Sequence, residues 1–267
     1  MPSADSPRPA PTDPDLRNTG SDVNPLSVQL YSVREQMSEP RGVLTRIAEI
    51  GYGAVEPYDP LNDPEGFRAI TDELGLKVSS THAGVTGEKA DEILDAAATL
   101  GTDTVIVPHI SPERWADADG IAGIAEELNA GAEKAAERGI RIGYHNHWFE
   151  LESNVGGRHG LEVLAEQLDP RVILEVDTYW AQVGGADVPE LLKRLGDRVR
   201  YLHVKDGPAS NPKDAMTAVG GGVMPVGAIL AANPAVEWHV VELDRCDTDM
   251  VQAIADSYTY LTSGNVR

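Results

Sequence analysis

Four short apolar runs in the second half of the chain each end in side chains that bind hard metal ions. The candidate ligands in these runs are Glu150, Asp177, His203 and Glu242. Successive ligands are 27, 26 and 39 residues apart, and each step is about the length of one strand–helix–strand unit. If the strands are parallel neighbours, the four side chains meet at one end of the sheet. Because crowded carboxylates repel one another and raise their own pKa values unless a cation lies between them, the pattern predicts a divalent metal site.

The elements that must position these residues follow a regular alternation. From residue 25 onwards, short runs of Val, Ile, Leu and Tyr alternate with longer stretches rich in Ala, Glu, Leu and Arg, which is typical of parallel βα units. We predict eight strands, near residues 26–32, 52–57, 77–82, 103–109, 141–146, 172–177, 200–206 and 237–244. We predict eight helices, near residues 40–49, 64–75, 87–100, 119–138, 159–168, 187–196, 226–232 and 247–262. Four of the helices end at a glycine, a residue that accepts the left-handed conformation that stops a helix.

The predicted fold class is α/β, with the architecture of a (β/α)8 TIM barrel. Residues 25–267 number 243, close to the roughly 250 that are typical of such barrels, and we predict a single catalytic domain over this range. A doubly wound sheet is the alternative. It is less favoured because the sequence has neither a GxGxxG pattern after the first strand nor a P-loop pattern.

The first 24 residues differ from the rest of the chain. This segment contains five prolines and almost no apolar residues, so we predict a disordered N-terminal tail over residues 1–24. It lacks the apolar stretch of a secretory signal, and no later segment approaches the roughly 20 apolar residues that cross a bilayer. These features predict a cytoplasmic protein that does not bind membranes. The single Cys246 fits a reducing compartment and has no assigned role.

The charge of the chain bears on its partners. With 22 basic and 43 acidic residues, the formal net charge is −21, which would repel a phosphate backbone. Nucleic acid is therefore an unexpected partner. A small-molecule sugar is the expected one, and homo-oligomers are common among barrels of this kind.

Polar side chains also stand at the ends of the other predicted strands, the face on which barrel enzymes build their active sites. Five of the seven histidines occur at such positions. Taken singly, each of these groups could equally be a hydrogen-bonded structural residue or a packing residue. We predict as substrate-binding residues Gln29, Tyr31, Glu56, His82, His109, His147 and Trp180.

The motifs YHNHWFE, EVDTYW, LHVKDG and VVELD, in this order, resemble those of the xylose-isomerase-like barrel superfamily, across roughly residues 25–262. Its members include ketose 3-epimerases, inosose dehydratases, 3-dehydroshikimate dehydratases and endonuclease IV. The resemblance implies that a Glu, an Asp, a His and a Glu on strands five to eight hold the ion, which here are Glu150, Asp177, His203 and Glu242. Epimerases carry the first glutamate within strand five, where this chain has His145, Asn146 and His147, so a histidine could replace Glu150 as ligand.

The predicted chemistry is proton abstraction next to a carbonyl. Carboxylate and imidazole ligands suit Mn²⁺, Mg²⁺, Co²⁺ or Zn²⁺, and manganese is our first choice. Such an ion would stabilise an enolate. Glu242 could act as base, with His145 or Glu150 on the opposite face and Lys205 steadying the oxyanion or serving as an internal counter-charge to Asp206 or a ligand carboxylate.

These groups predict a divalent-metal-dependent isomerase or epimerase of an unphosphorylated ketose or keto-sugar. The alternatives are a dehydratase or lyase of a keto-sugar, cyclitol or 3-keto-glycoside, because one enolate serves all these reactions, and a non-catalytic sugar-binding barrel.

Overall fold

A computed structural model of the chain describes residues 24–264 and residue 266. Its strands, in chain order, are β1 Leu26–Gln29, β2 Ala54–Glu56, β3 Lys77–Val78, β4 Thr81–His82, β5 Thr104–Val107, β6 Arg141–His145, β7 Asn154–Val155, β8 Arg158–His159, β9 Ile173–Asp177, β10 Val199–Val204 and β11 Trp238–Val241. The α-helices are α1 Pro40–Ile50, α2 Pro64–Leu74, α3 Ala90–Leu100, α4 Ala118–Ala136, α5 Phe149–Glu152, α6 Gly160–Gln167, α7 Thr178–Val183, α8 Val188–Leu195, α9 Val226–Ala231 and α10 Met250–Thr262. The tail predicted for residues 1–24 lies outside the described residues, except for Asn24.

Nine of these strands form one parallel sheet that closes on itself. Their order is β3–β2–β1–β11–β10–β9–β6–β5–β4, and every pair of hydrogen-bonded neighbours is parallel. The two edges, β3 and β4, are consecutive pieces of the single strand predicted at 77–82, so the sheet closes through that strand. The predicted barrel of eight βα units is confirmed.

The eight predicted helices are all present, with ends within a few residues of the predicted bounds. Gly75 and Gly101, directly after α2 and α3, have φ angles of 69° and 81°. A side chain at either position would strain the backbone, which explains why glycine ends these helices.

Side chains along each strand point alternately to two apolar layers, one outside the sheet and one inside the barrel. Residues facing outward, such as Leu202 and Val241, pack in a large cluster together with helix residues such as Ile254. A small second cluster contains Ile106, Ile173, Tyr201 and Val240. Ile173, Tyr201 and Val240 lie two positions before Glu175, His203 and Glu242, and strand residues two apart point to the same side. The apolar cluster therefore forms the floor on which the polar residues of the barrel mouth rest.

Short elements that the sequence pattern did not predict follow two of the strands at the mouth. Helix α5 and the antiparallel hairpin β7–β8 come after β6, and helix α7 begins directly after β9. These insertions carry Glu150 and Trp180, so they determine where two predicted site residues point. Among the helices between residues 24 and 264, none combines the length and apolar character that crossing a bilayer requires.

The outward-facing His239 on β11 predicts how stability depends on pH. It is 1% exposed, and neither ring nitrogen has a hydrogen-bond partner among the described residues. Burial lowers its pKa to about 4. The unfolded chain therefore binds the proton more readily between about pH 6.5 and pH 4, and His239 destabilises the fold as the pH falls through this window.

We expect His239→Leu to be at least as stable as wild type at pH 7, because it replaces an unpaired buried polar group. As the pH falls from 7 to 4.5, the free energy of unfolding of wild type should decrease by about 2 kcal/mol more than that of His239→Leu. Urea denaturation at both pH values measures this. If the free energy of unfolding of variant and wild type changes equally with pH, the lowered pKa of His239 is contradicted.

Candidate metal centre

Four buried side chains converge at the carboxyl end of the barrel. They come from four adjacent strands: His145 ends β6, Asp177 ends β9, His203 lies on β10 and Glu242 follows β11. Each offers one nitrogen or oxygen, and these atoms all lie within 4.8 Å of one another. Asp177 and His203 are direct partners in the β9–β10 register, so the sheet itself places them side by side.

Local hydrogen bonds hold the ends of β6 and β9 together. The backbone N–H of Asp177 donates to Oδ1 of Asn146 at 3.0 Å, and Nδ2 of Asn146 donates to the carbonyl of Asp177 at 3.2 Å. Asp177 also begins α7, where its Oδ1 accepts the backbone N–H of Trp180 at 2.8 Å. Oδ1 is therefore committed to the helix, while Oδ2 is directed into the group and forms no hydrogen bond of good geometry with any described residue.

Lys205 places a positive charge in the middle of the carboxylates. Its Nζ lies 2.8 Å from Oδ2 of Asp177, 2.6 Å from Oε2 of Glu242 and 2.6 Å from Oδ2 of Asp244. Burial alone would lower the pKa of Lys205, but these carboxylates outweigh burial and raise the pKa well above its usual value. The ammonium therefore stays charged and acts as the predicted counter-charge to ligand carboxylates.

Asp206 is not the partner of Lys205. Its carboxylate instead accepts backbone N–H groups from Gly207, Gly220, Gly222 and Met224, at 2.8–3.1 Å. These bonds fix the glycine-rich loop at 220–222, to which the sequence pattern assigned no role.

The protonation states of His145, Asp177 and Glu242 at neutral pH suit a cation. Burial, together with the charge of His203, lowers the pKa of His145 well below its usual value, so this imidazole is neutral and offers a lone pair. Burial raises the pKa of Asp177 to about 6, because Lys205 compensates for it only in part. For Glu242, burial is outweighed by Lys205 and His203, which lower its pKa well below the usual range.

Glu150 does not join this group. Its Oε1 accepts a hydrogen bond from the Tyr144 hydroxyl at 2.5 Å, and its Oε2 accepts the backbone N–H of His147 at 2.9 Å. Burial raises the pKa of Glu150 to about 8, so the carboxyl is largely protonated at neutral pH. The structure thus departs from the prediction that Glu150 is the first ligand, because helix α5 turns its side chain towards Tyr144. His145, the alternative ligand at the end of β6, occupies the position beside Asp177, His203 and Glu242 that was predicted for Glu150.

A second polar layer lies beneath the group. Glu175, on β9, has Oε2 at 2.7 Å from Nε2 of His82, and at 3.1 Å from both Nδ1 of His145 and Nε2 of His203. Glu56 lies 2.8 Å from Nε2 of His203. Burial alone would lower the pKa of His203, but Glu175, Glu56 and Glu242 raise it well above the usual value.

Three predicted substrate-binding residues, Gln29, Glu56 and His82, lie in this lower layer and not at the open mouth. Gln29 and Glu56 are fully buried, and Nε2 of Gln29 donates to Oε2 of Glu56 at 2.8 Å. Sequence reasoning missed Glu175. A signal existed, since Glu175 precedes Asp177 by two positions on one strand and must point to the same side.

The other predicted substrate-binding residues surround the mouth. Trp180 lies with its ring 5.4 Å from Nζ of Lys205, and its Nε1 is buried without a hydrogen-bond partner in the described part of the chain. Nδ1 of His147 is likewise unpaired, and burial lowers the pKa of this ring to about 3. Exposed His109 contacts His147 edge to face, with ring centroids 5.4 Å apart. Tyr31 is 41% exposed and borders Tyr58 at a ring-centroid distance of 5.5 Å.

The residues present fit a divalent ion. Two imidazoles and two carboxylates form a ligand set that Zn²⁺, Co²⁺ and Mn²⁺ accept. The fit rests on this donor set and on the convergence of its four buried ligand atoms within 4.8 Å, since Oδ2 of Asp177 already has Nζ of Lys205 at 2.8 Å.

Known proteins resemble the chain in sequence. It is 30% identical over 190 residues to an inosose dehydratase of Geobacillus kaustophilus. The match covers 61% of each chain, so it spans about three fifths of the length of that curated relative.

Solved structures resemble the barrel closely. A sugar phosphate isomerase/epimerase from Parabacteroides distasonis superposes with a TM-score of 0.74 at 22% identity, covering 93% of this chain and 97% of that one. The IOLI protein, solved with a bound zinc atom, superposes with a TM-score of 0.66 at 16% identity, covering 90% and 98%. At these identities the likeness establishes the fold alone.

The family model described as xylose isomerase-like TIM barrel matches residues 44–232, which is well over half of the chain. The predicted resemblance is confirmed, and the chain belongs to the xylose isomerase-like TIM barrel family.

Proposed function

We propose that the protein is a divalent-metal-dependent dehydratase that removes water from a keto-cyclitol or keto-sugar. The observation that carries the proposal is the asymmetry of the site. Glu242 is a carboxylate at the mouth with an available oxygen, whereas Glu150 is held by Tyr144 and the backbone of His147. An epimerase that works with two opposed glutamates would need both. The relative named inosose dehydratase, 30% identical over 190 residues, supports the same choice.

His145, Asp177, His203 and Glu242 would hold the ion. A divalent ion at this position supplies Lewis-acid stabilisation of the negative charge that develops on the substrate carbonyl oxygen. Ions that accept imidazole ligands, Mn²⁺, Co²⁺ and Zn²⁺, suit this set better than Mg²⁺.

Glu242 is the proposed base. Its Oε2 is held by His203 at 2.8 Å and by Lys205 at 2.6 Å, while no hydrogen bond to Oε1 occurs within residues 24–264. Because its pKa is lowered by Lys205 and His203 despite burial, the carboxylate is ionised and can take the proton from the carbon next to the ketone. The same carboxyl then returns this proton to the leaving hydroxyl on the neighbouring carbon. A C–H and a C–O bond break, a C=C bond forms, and one water leaves.

Neighbouring groups bind and orient the substrate. Lys205 keeps Glu242 ionised and faces the ring of Trp180. The unpaired Nε1 of Trp180 and the unpaired nitrogen of His147 are available to the substrate's hydroxyl groups. An unpaired buried polar atom is costly, so hydrogen bonds to a polyol would be favourable at these two positions.

An isomerase or epimerase, which the sequence favoured, is the second candidate. The neutral imidazole of His147, on the strand-five side, would accept a proton from the substrate at a face or carbon that Glu242 does not serve, and this observation favours the candidate. A sugar-binding barrel without catalysis is the alternative from another class, and the absence of turnover with metal bound would distinguish it.

A first prediction concerns metal binding. We expect His145→Ala and Asp177→Asn to weaken binding of Zn²⁺ or Mn²⁺, because the first removes a ligand and the second removes a ligand's negative charge. The loss should be at least roughly 10–100-fold, the effect of removing a group that only supports a ligand. Glu150→Gln is the matched control, and it should retain the ion because both carboxyl oxygens of Glu150 are bound to Tyr144 and the backbone of His147. Titration against a fluorescent chelator measures the affinities. Loss of the ion in Glu150→Gln with retention in His145→Ala would restore Glu150 as ligand.

A second prediction concerns the reaction. With inosose, we expect a product lighter by one water, detected by mass spectrometry. Glu242→Gln should lower kcat by at least about 100-fold, the usual contribution of a general base. The distant Glu237→Gln, which loses pairings with Arg141 and Arg200 at the opposite end of the barrel, should not. Deuterium entering recovered substrate or its isomer in D₂O, with no loss of water, would replace the dehydratase by an epimerase or isomerase.

A further inference from the structure

The buried carboxylate of Glu175 contacts both imidazoles of the metal centre. Its Oε2 lies 3.1 Å from Nδ1 of His145 and 3.1 Å from Nε2 of His203. Glu175 is fully buried on β9, two residues before the ligand Asp177, so it cannot reach the open mouth without leaving the sheet. It is thus placed to act on the ligands and not on the substrate.

Each imidazole spans the distance between Glu175 and a ligand carboxylate. The second nitrogen of His145, Nε2, lies 3.7 Å from Oδ2 of Asp177. The second nitrogen of His203, Nδ1, lies 2.8 Å from Oε2 of Glu242. The two rings are therefore oriented oppositely, with different nitrogens directed towards the ligand carboxylates.

An ionised carboxylate can only accept hydrogen bonds, so a nitrogen that bonds to Glu175 must carry the hydrogen. The other nitrogen of each ring is then the one that can face the ion, and on His203 the ion would replace the hydrogen that Nδ1 shares with Oε2 of Glu242. We propose that Glu175 is the positioning residue of the metal centre, which makes His145 bind the ion through Nε2 and, together with Glu56, makes His203 bind it through Nδ1. This inference rests on the metal site of the proposed function.

Neighbouring groups keep the Glu175 carboxylate in place. Nε2 of His82 bonds to the same oxygen at 2.7 Å. Glu56 also contacts His203, with Oε2 of Glu56 2.8 Å from Nε2 of His203. Glu56 is in turn held by Nε2 of Gln29 at 2.8 Å and by the hydroxyl of Ser80. Glu56 contacts His203 and His82 but has no recorded bond to His145 in the described structure, so Glu175 is the carboxylate that links both ligand rings.

The first test uses wild-type protein, so it does not depend on the folding of a variant. Protein with nitrogen-labelled histidine is loaded with an NMR-active cadmium isotope, and the cadmium–nitrogen couplings are measured. We expect coupling to Nε2 of one ligand histidine and to Nδ1 of the other, with the remaining nitrogen of each ring protonated. Coupling to Nε2 of both rings would overturn the proposal.

The second test is Glu175→Gln, with Glu237→Gln as the control for loss of one carboxylate. An amide also donates, so it cannot accept from both rings and His82 at once. We expect the affinity for Zn²⁺ to fall about 10–100-fold, as for other groups that orient metal-bound histidines. The visible absorption spectrum of the Co²⁺-loaded variant should also shift, which a general loss of stability would not cause. Wild-type affinity and an unchanged cobalt spectrum would contradict the proposal.

The outcomes separate this inference from the proposed function. If wild-type protein binds no divalent ion, the metal site itself is wrong. If wild-type protein binds one ion but the cadmium couples to other ring nitrogens than Nε2 of His145 and Nδ1 of His203, only the role of Glu175 is wrong. His82, His145, Glu175 and His203 also offer atoms within 4.8 Å of one another. Two ions per wild-type chain, with one lost in Glu175→Gln, would make Glu175 a ligand and overturn its positioning role.

Discussion

Negative charge exceeds positive charge inside the mouth of this barrel, and the site depends on how that excess is compensated. Glu56, Glu175, Asp177 and Glu242 are all buried, and the cations that face them are His82, His203 and Lys205. An ionised carboxylate without a partner in such surroundings costs several kcal/mol, even after relaxation. Burial raises the pKa values of Asp177 and Glu56, whereas the nearby cations lower those of Glu175 and Glu242, so the compensation is uneven. A divalent ion held by His145, Asp177, His203 and Glu242 would add positive charge beside that of Lys205.

The alternation of strand residues turns this charge requirement into a layered site. On β9, Ile173 belongs to the apolar floor, Glu175 to the lower polar layer and Asp177 to the group at the mouth. A slip of one residue in the register would turn all three outward, so the hydrogen bonding of the sheet determines which side chains can meet. The same strand therefore provides a candidate ligand and the carboxylate that supports its histidine neighbours.

The sequence was informative wherever position along a strand decides the outcome. The barrel follows from the alternation of elements, and Asp177, His203 and Glu242 come together because each stands at or near a strand's carboxyl end. Glu150 lies outside the group because it belongs to the short helix α5 beyond the strand, where hydrogen bonds to Tyr144 and His147 decide the direction of its side chain. Likewise, polarity alone could not show that Glu56 lies under the site, since that depends on how deep in the closed barrel β2 places it.

The most direct measurement of the central claim is anomalous diffraction from a crystal of the protein grown with Mn²⁺ or Zn²⁺. The account predicts one strong peak in bonding contact with His145, Asp177, His203 and Glu242, and no contact between the ion and Glu150. A structure without an ion between these side chains, or with Lys205 as their only cation at saturating metal, would contradict it.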